Sequence, residues 1–389
     1  MSACKPPAVM VASSMPSVRD SRIEAVQTTI VDIPLRRAHA HSRSTTRAQG
    51  IVVVELRTGA GVVGLGEGVT PGGPWWGGDS VETIKLMIDN YLAPVVLGED
   101  VFLIERLLAR MDKVAARNQF AKAAVEMAAH DAIGRLLGVP LSHLLGGAVR
   151  PAVAVLWPLG IGRLDEDVAE ARAKIEAGQH RVFKIKMGAA APEDDVRRVL
   201  ATARDIGATC RVDLNQAWDE PTAARWLPHL EAGGIELVEA PIPGWNRDGM
   251  RRLAARLVVP IMADEEVWDL HDHWNAAAGA ATDVVAVKVA KSGGLWRARK
   301  IAALAEAAGL PTYGGMALES SIGTAASAHL FSTIPNLEWG CESVGPLLLA
   351  DDLVVRPVEY RDGALIVPDA PGLGVELDRS KLAHYERDA

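Results

Sequence analysis

The chain predicts an α/β fold: a (β/α)8-type barrel of modified TIM form, behind an N-terminal α+β capping domain. Two observations carry this. From Pro151 onward, short apolar runs alternate with stretches rich in Ala, Arg and Glu. Continuous apolar runs suit strands covered on both faces. In addition, Lys186, Asp213, Glu239, Asp264 and Lys288 stand at or just past the ends of five such runs, in steps of 27, 26, 25 and 24 residues. A step of that length is one strand plus one helix, and barrels of this kind gather their active sites where the strands end.

The elements follow in order. Residues 1–21 read as a disordered leader, because the apolar run Ala8-Val-Met-Val-Ala12 is too short for a signal-peptide core. Residues 22–147 form the expected capping domain. Within it, 23–33 and 50–58 read as strands, and Thr58-Gly-Ala-Gly61 is the hairpin turn into 62–67. Helical stretches are expected over 80–92, 101–111 and 119–137, the last stopping near Gly138-Val-Pro140. Antiparallel strands followed by helices describe an α+β unit. The barrel is expected over 148–350, with its first strand at 152–159, its first helix at 165–178 and its eighth strand at 337–341. Residues 351–389 return to short strands around Asp362-Gly363 and are expected to pack back on the capping domain.

Bulk properties narrow the function. A net charge of −8 and a pI near 5.7 leave no basic footprint for nucleic acid or an anionic membrane. No segment has the length of a membrane-spanning helix. The three cysteines, Cys4, Cys210 and Cys341, are widely spaced without a C-x-x-C pair. That pattern fits a reducing cytoplasm and argues against a disulfide framework or a zinc ribbon.

The chemistry lies in the charged series. Lys184 and Lys186 are two apart on one strand and so share a face. Lysines aimed into a barrel mouth are costly to desolvate unless carboxylates await them. Asp213, Glu239 and Asp264, one per repeat, supply that charge. Any one of them alone reads best as a solvated strand-end charge or an ion pair; the conjunction does not. Carboxylate-rich ligation without His or Cys points to a hard dication, Mg2+ or Mn2+. Such an ion stabilises the charge that develops when a lysine works beside a carboxylate substrate.

Several motifs resemble the muconate-lactonizing subgroup of the enolase superfamily. They are Lys184-Ile-Lys186, Asp213-Leu-Asn215-Gln-Ala-Trp218, Val238-Glu-Ala-Pro241, Ala263-Asp-Glu265, Val287-Lys-Val-Ala-Lys-Ser-Gly-Gly294 and Gly315-Met-Ala-Leu-Glu-Ser-Ser-Ile-Gly323. The resemblance spans roughly residues 22–380. It implies Asp213, Glu239 and Asp264 as metal ligands, Lys186 and Lys288 as acid/base groups on opposite faces of the substrate, and Lys184 as a holder of its carboxylate. Asn215, Lys291 and Glu319 are implied as supporting residues. A small dicarboxylate substrate and a homo-oligomer, an octamer by resemblance, are implied as well.

Within the subgroup, dipeptide epimerases, N-acylamino acid racemases and succinylbenzoate synthases are the alternatives to a muconate cycloisomerase. Trp339-Gly-Cys-Glu342-Ser-Val-Gly-Pro and the loop Thr70-Pro-Gly-Gly-Pro-Trp-Trp-Gly-Gly78 are similar to cycloisomerases, although Trp75-Trp76 stands where smaller residues are expected. Glu266, where the subgroup more often has Ser, is a second departure. A Schiff-base aldolase built on Lys288 would leave the acid series unexplained. Trp157, at the end of the first strand, is a candidate for the pocket wall, against core packing as the default. Residues 36–43 offer a cation for the second substrate carboxylate, against exposed loop charge as the default for any one of them. His271 and His273 are read as surface residues. Gly64-Leu-Gly66-Glu-Gly68 is read as strand and loop, since no helix opens after it.

Overall fold

The computed structural model describes residues 20–40, 42, 44–160 and 162–387. The expected leader therefore lies, up to residue 19, outside the described residues, as do Cys4, His41 and Arg43. Three strands open the capping domain: β1 (Ile23–Ala40), β2 (Thr45–Thr58) and β3 (Val63–Val69), paired antiparallel in the order β1-β2-β3. The Thr58–Val62 turn closes with a 2.9 Å amide-to-carbonyl bond, where the sequence places it. β1 runs seven residues past its expected end, because β2 also starts early and pairs His39 with Thr46.

The helix Gln119–Leu137 lies across this sheet. Its Ala123, Ala124 and Ala128 are fully buried, so backbone approaches backbone. A Cβ at Gly64 or Gly66 would fall 2.0 Å from the carbonyl oxygen of Ala128 or Ala124. The alternating glycines of β3 are thus a packing surface for the alanine-rich helix. The expected 80–92 helix is segmented into α-helix Val81–Met87, a π-turn Ile88–Leu92 and α-helix Ala93–Val96.

Beyond β4 (Ala152–Ala154), the strands β5 (Trp157–Leu159), β6 (Val182–Lys186), β7 (Thr209–Asp213), β8 (Val238–Glu239), β9 (Ile261–Ala263), β10 (Val284–Val287) and β11 (Thr312–Gly314) form one parallel seven-stranded sheet in sequence order. The first barrel strand is therefore two pieces. β4 instead pairs antiparallel with β13 (Ala364–Ile366), which pairs with β12 (Tyr360–Arg361) around the expected turn. The eighth strand also departs from expectation: no strand is assigned over 337–341, and Cys341 alone bridges Val155 on one side and Gly314 on the other. Gly340 has φ +65°, a left-handed conformation that interrupts an extended run, and a Cβ there would meet the Ala154 carbonyl at 2.7 Å. Backbone bonds nevertheless close the barrel, among them Cys341 N–H to Ala154 O at 2.8 Å and Glu342 N–H to Gly314 O at 2.8 Å.

Inside the barrel Leu156, Leu237, Met262, Val284, Ala286 and Tyr313 form a compact apolar plug. The last helix, Arg379–Tyr385, lies against strands of the N-terminal sheet. Arg379 binds Glu55, and Arg387 holds Asp32 at 2.5 and 2.6 Å. Among the described residues no helix is long and apolar enough to cross a membrane.

Replacing Gly66 by Ala drives a methyl into helix backbone that has no side chain to yield. We expect a loss of about 3 kcal/mol in unfolding free energy, read by chemical denaturation, whereas Gly59→Ala in the exposed turn should cost far less.

Candidate active site

Parallel register sets the first three charges side by side, and Asp264 and Lys288 each stand two residues further along their strands. Lys186 pairs with Asp213, and Asp213 with Glu239, across adjacent strands. Direction follows from alternation. Leu237, Met262 and Ala286 point into the plug, so Glu239, Asp264 and Lys288, each two residues on, point into the barrel mouth above it. Lys184 and Lys186 share that parity on β6.

All of these side chains are buried. Lys184 donates to Glu239 Oε2 at 2.9 Å and to Glu342 Oε2 at 2.5 Å, and lies 3.5 Å from Asp213. Lys186 donates to Asp213 and reaches Asn215 Oδ1 at 3.3 Å. Lys288 donates to Asp264, whose other oxygen takes Lys291 at 2.8 Å. Asn215, at φ +44°, donates to Glu265 Oε1 at 2.9 Å, and its amide donates to Asp213 Oδ1 at 2.9 Å. Burial works against ionising every one of these groups, but pairing overrides it for most. Asp264 is held well below the carboxylate range by Lys288 and Lys291, and Asp213 is lowered chiefly by Lys186. Lys288 is raised by Asp264, and Lys184 by Glu239 and Glu342, so both carry their protons.

A narrow cavity opens among Lys184, Lys186, Asp213, Asn215, Asp264 and Lys288, with Glu342, Met316 and Leu318 on one wall. Trp76 roofs it, its ring 4.7 Å from the Lys288 ammonium in cation–π geometry. Lys291 and Glu319 are buried behind this surface; Glu319 accepts the Ala317 amide at 2.9 Å.

Some sequence expectations need correction. Trp157 does not reach the cavity: Leu156 points inward, so Trp157 points into the helix layer, donates to Glu170 at 2.9 Å and lies under Lys174. His39 is no exposed loop charge. It is buried in the cavity wall, where burial and then Lys186 hold its pKa well below the usual value and keep it neutral. Arg37 turns instead to Glu170 and the Pro158 carbonyl, both at 3.0 Å. His273 is buried against the Asp269 carbonyl at 2.8 Å, while His271 is exposed. Burial pushes the Cys210 and Cys341 thiols up to about 12, which leaves them unreactive. Sequence reasoning assigned no role to Glu342, Tyr313 or Glu67. Tyr313 donates to Glu342 Oε2 at 2.9 Å from within the plug.

The comparisons with known proteins agree with this geometry. Residues 24–146 match the family "Mandelate racemase / muconate lactonizing enzyme, N-terminal domain", and residues 166–381 match "Enolase C-terminal domain-like". The chain belongs to the enolase superfamily. It is 42% identical to a chloromuconate cycloisomerase of Cupriavidus necator over 95% of this chain and 100% of that one. It is 44% identical to muconate cycloisomerase 1 of Pseudomonas putida, over 96% and 100%. The crystal structure of muconate lactonizing enzyme from Pseudomonas fluorescens complexed with muconolactone superposes with a TM-score of 0.93 at 44% identity, covering 95% of this chain and 100% of that one. That of 2-chloromuconate cycloisomerase from Rhodococcus opacus 1CP gives 0.92 at 45%, covering 94% and 100%.

In this enolase-superfamily chain, the donor chemistry can be tested against a dication. Among the described residues, no three His, Cys, Asp or Glu side chains stand as a ready-made chelate. The lysines account for this, since their ammonium groups occupy oxygens of Asp213 and Asp264. Compensation is incomplete, however. Glu239 Oε1 and Glu265 Oε2 are buried without a hydrogen-bond partner. Burial, then repulsion from Asp213, pushes Glu239 up to about 8 despite Lys184. An all-oxygen set with surplus buried negative charge fits a hard cation.

Replacing Lys184 by Met leaves Glu239 and Glu342 without their shared cation. In chelator at mildly alkaline pH, unfolding should cost about 3–5 kcal/mol less than in the parent. The deficit should shrink at lower pH as Glu239 takes up a proton. Urea titration across pH measures both.

Proposed function

We propose that this protein is a muconate cycloisomerase, converting cis,cis-muconate to muconolactone. The observation that carries the reading is the convergence of Lys186, Asp213, Asp264 and Lys288 on one cavity, with Glu239 held against Lys184 in its wall, in a chain so similar to named cycloisomerases. We assign Asp213, Glu239 and Asp264 as ligands of Mg2+ or Mn2+. Bound there, the ion supplies a Lewis acid for negative charge developing on a substrate carboxylate.

The chain's own residues do the rest. Lys184, in the cavity wall, holds that carboxylate by charge. Trp76, Met316 and Leu318 exclude water and press the diene flat. The far carboxylate adds an oxygen across the distant double bond and closes the five-membered ring. The carbon next to the first carboxylate then takes a proton from a lysine Nζ. Lys186 and Lys288 stand on strands flanking the three acid-bearing ones, so each faces one side of the substrate. Lys288, held protonated by Asp264, is ready to donate. Asn215, Lys291 and Glu319 support these groups from behind. Assembly as a homo-oligomer, an octamer by family resemblance, and a cytoplasmic location belong to the same proposal; light scattering tests the first.

The decisive experiment incubates metal-loaded protein with cis,cis-muconate in D2O, following dienoate absorbance and deuterium placement by NMR. Lactone with one deuterium next to the carboxylate is expected. No turnover, with α-proton exchange on an N-acylamino acid or dipeptide instead, overturns the reading. Chelation should abolish activity, and Mn2+ or Mg2+ should restore it. Lys186→Met and Lys288→Met should each lower kcat; the proton donor should fall by about 10²–10⁴-fold. Full activity in both variants rules out lysine chemistry.

A further inference from the structure

Two carboxylates of the capping domain reach into the barrel without touching the cavity. Glu126 accepts the Leu295 and Trp296 amides at 2.8 Å each, at the start of the helix Leu295–Ala307. Glu67, on β3, takes a different helix. It accepts the Ser320 amide at 2.8 Å, the Ser320 hydroxyl at 2.6 Å and the Gly323 amide at 2.9 Å. Ser320 caps the helix Ser321–Ser332 and also ends the loop 315–320 that follows β11.

That loop is strained and closely fitted to the site. Leu318, a cavity-wall residue, has φ +64°. A bulky residue keeps that conformation only where its surroundings over-determine it. At the other end of the loop, a Cβ on Gly315 would fall 2.3 Å from Lys288 Cε and 2.7 Å from its Cγ, so the loop backbone is the bed on which the Lys288 stem lies. At Gly323, a Cβ would meet Glu319 Cγ at 2.7 Å and Glu67 Cδ at 3.3 Å; the missing side chain makes room for both acids.

We propose that Glu67 is a positioning residue for Lys288. Its carboxylate anchors Ser320 and Gly323, holds Leu318 in its left-handed conformation, and so keeps the 315–320 backbone pressed against the lysine stem. The capping domain thereby aligns the stem of a lysine whose ammonium it also meets through Trp76. This rests on the assignment of Lys288 as an acid/base residue.

The test is Glu67→Gln, which keeps the size but turns an amide donor toward backbone N–H groups. Glu126→Gln serves as the control, and Glu67→Asp replaces the first variant if that one does not fold. Hydrogen exchange read by mass spectrometry needs no substrate. Amides of 315–323 should exchange faster in the Glu67 variant and remain unchanged in the Glu126 variant. With muconate, kcat of the Glu67 variant should fall about a hundredfold, the cost of a small misplacement, while KM and metal affinity hold. Unchanged exchange, unchanged kcat in a folded variant, or kcat, KM and metal affinity all declining together would overturn the proposal. Wild-type protein that leaves muconate unturned would sink the cycloisomerase reading instead, and the exchange measurement would still decide whether Glu67 holds the loop.

Discussion

Mutual compensation of buried charge is the constraint on which this structure depends. Four lysines and several carboxylates sit at the barrel mouth almost without water contact, a placement that no single one of them could sustain. Lys186 with Asp213, Lys184 with Glu239 and Glu342, and Lys288 and Lys291 with Asp264 divide the debt among neighbouring strands. The arrangement is not fully neutral. Glu239 and Glu265 both stay hard to ionise, burial being the main cause in each. The barrel mouth is therefore built around an unsatisfied demand for positive charge.

The capping domain is more than a lid over this mouth. Through Glu67 and Glu126 it supplies acceptors to the first turns of two barrel helices, where backbone amides lack partners of their own. Trp76 meets Phe120 edge-on and Trp268 at a tilt as well as lying over Lys288, so the cavity's roof is fixed from both domains. Site geometry and domain docking are consequently one packing problem.

Much of the site was legible in the sequence because successive parallel strands end on one rim. The charges need not share a register, since strand alternation turns each of them into the same mouth. What escaped did so for identifiable physical reasons. Trp157 was given the wrong face because the first barrel strand breaks after Ala154, which a local reading of 152–159 cannot register. His39 became a wall residue because β1 is prolonged by pairing with β2, a tertiary effect on a segment rich in Arg and His. Glu342 follows a position with no strand of its own to announce it. Glu67 lay in a glycine-rich stretch correctly read as strand, but its partner Ser320 is 253 residues away and leaves no local trace. The charge series had a period; these residues had none.

The single-residue seam at Cys341 has a bearing on how the molecule comes into being. Hydrogen bonds on either side of that residue join the first barrel strand to the last, and the next residue, Glu342, is the one that Lys184 grips. The ring cannot be completed until the segment that follows β11 is in place, since that segment stitches the first barrel strand to the last. Non-local closure of this sort is slow. Until it happens, the sheet keeps an open edge and Lys184 lacks the Glu342 half of its pairing, so the charge balance of the barrel mouth is among the last features to mature.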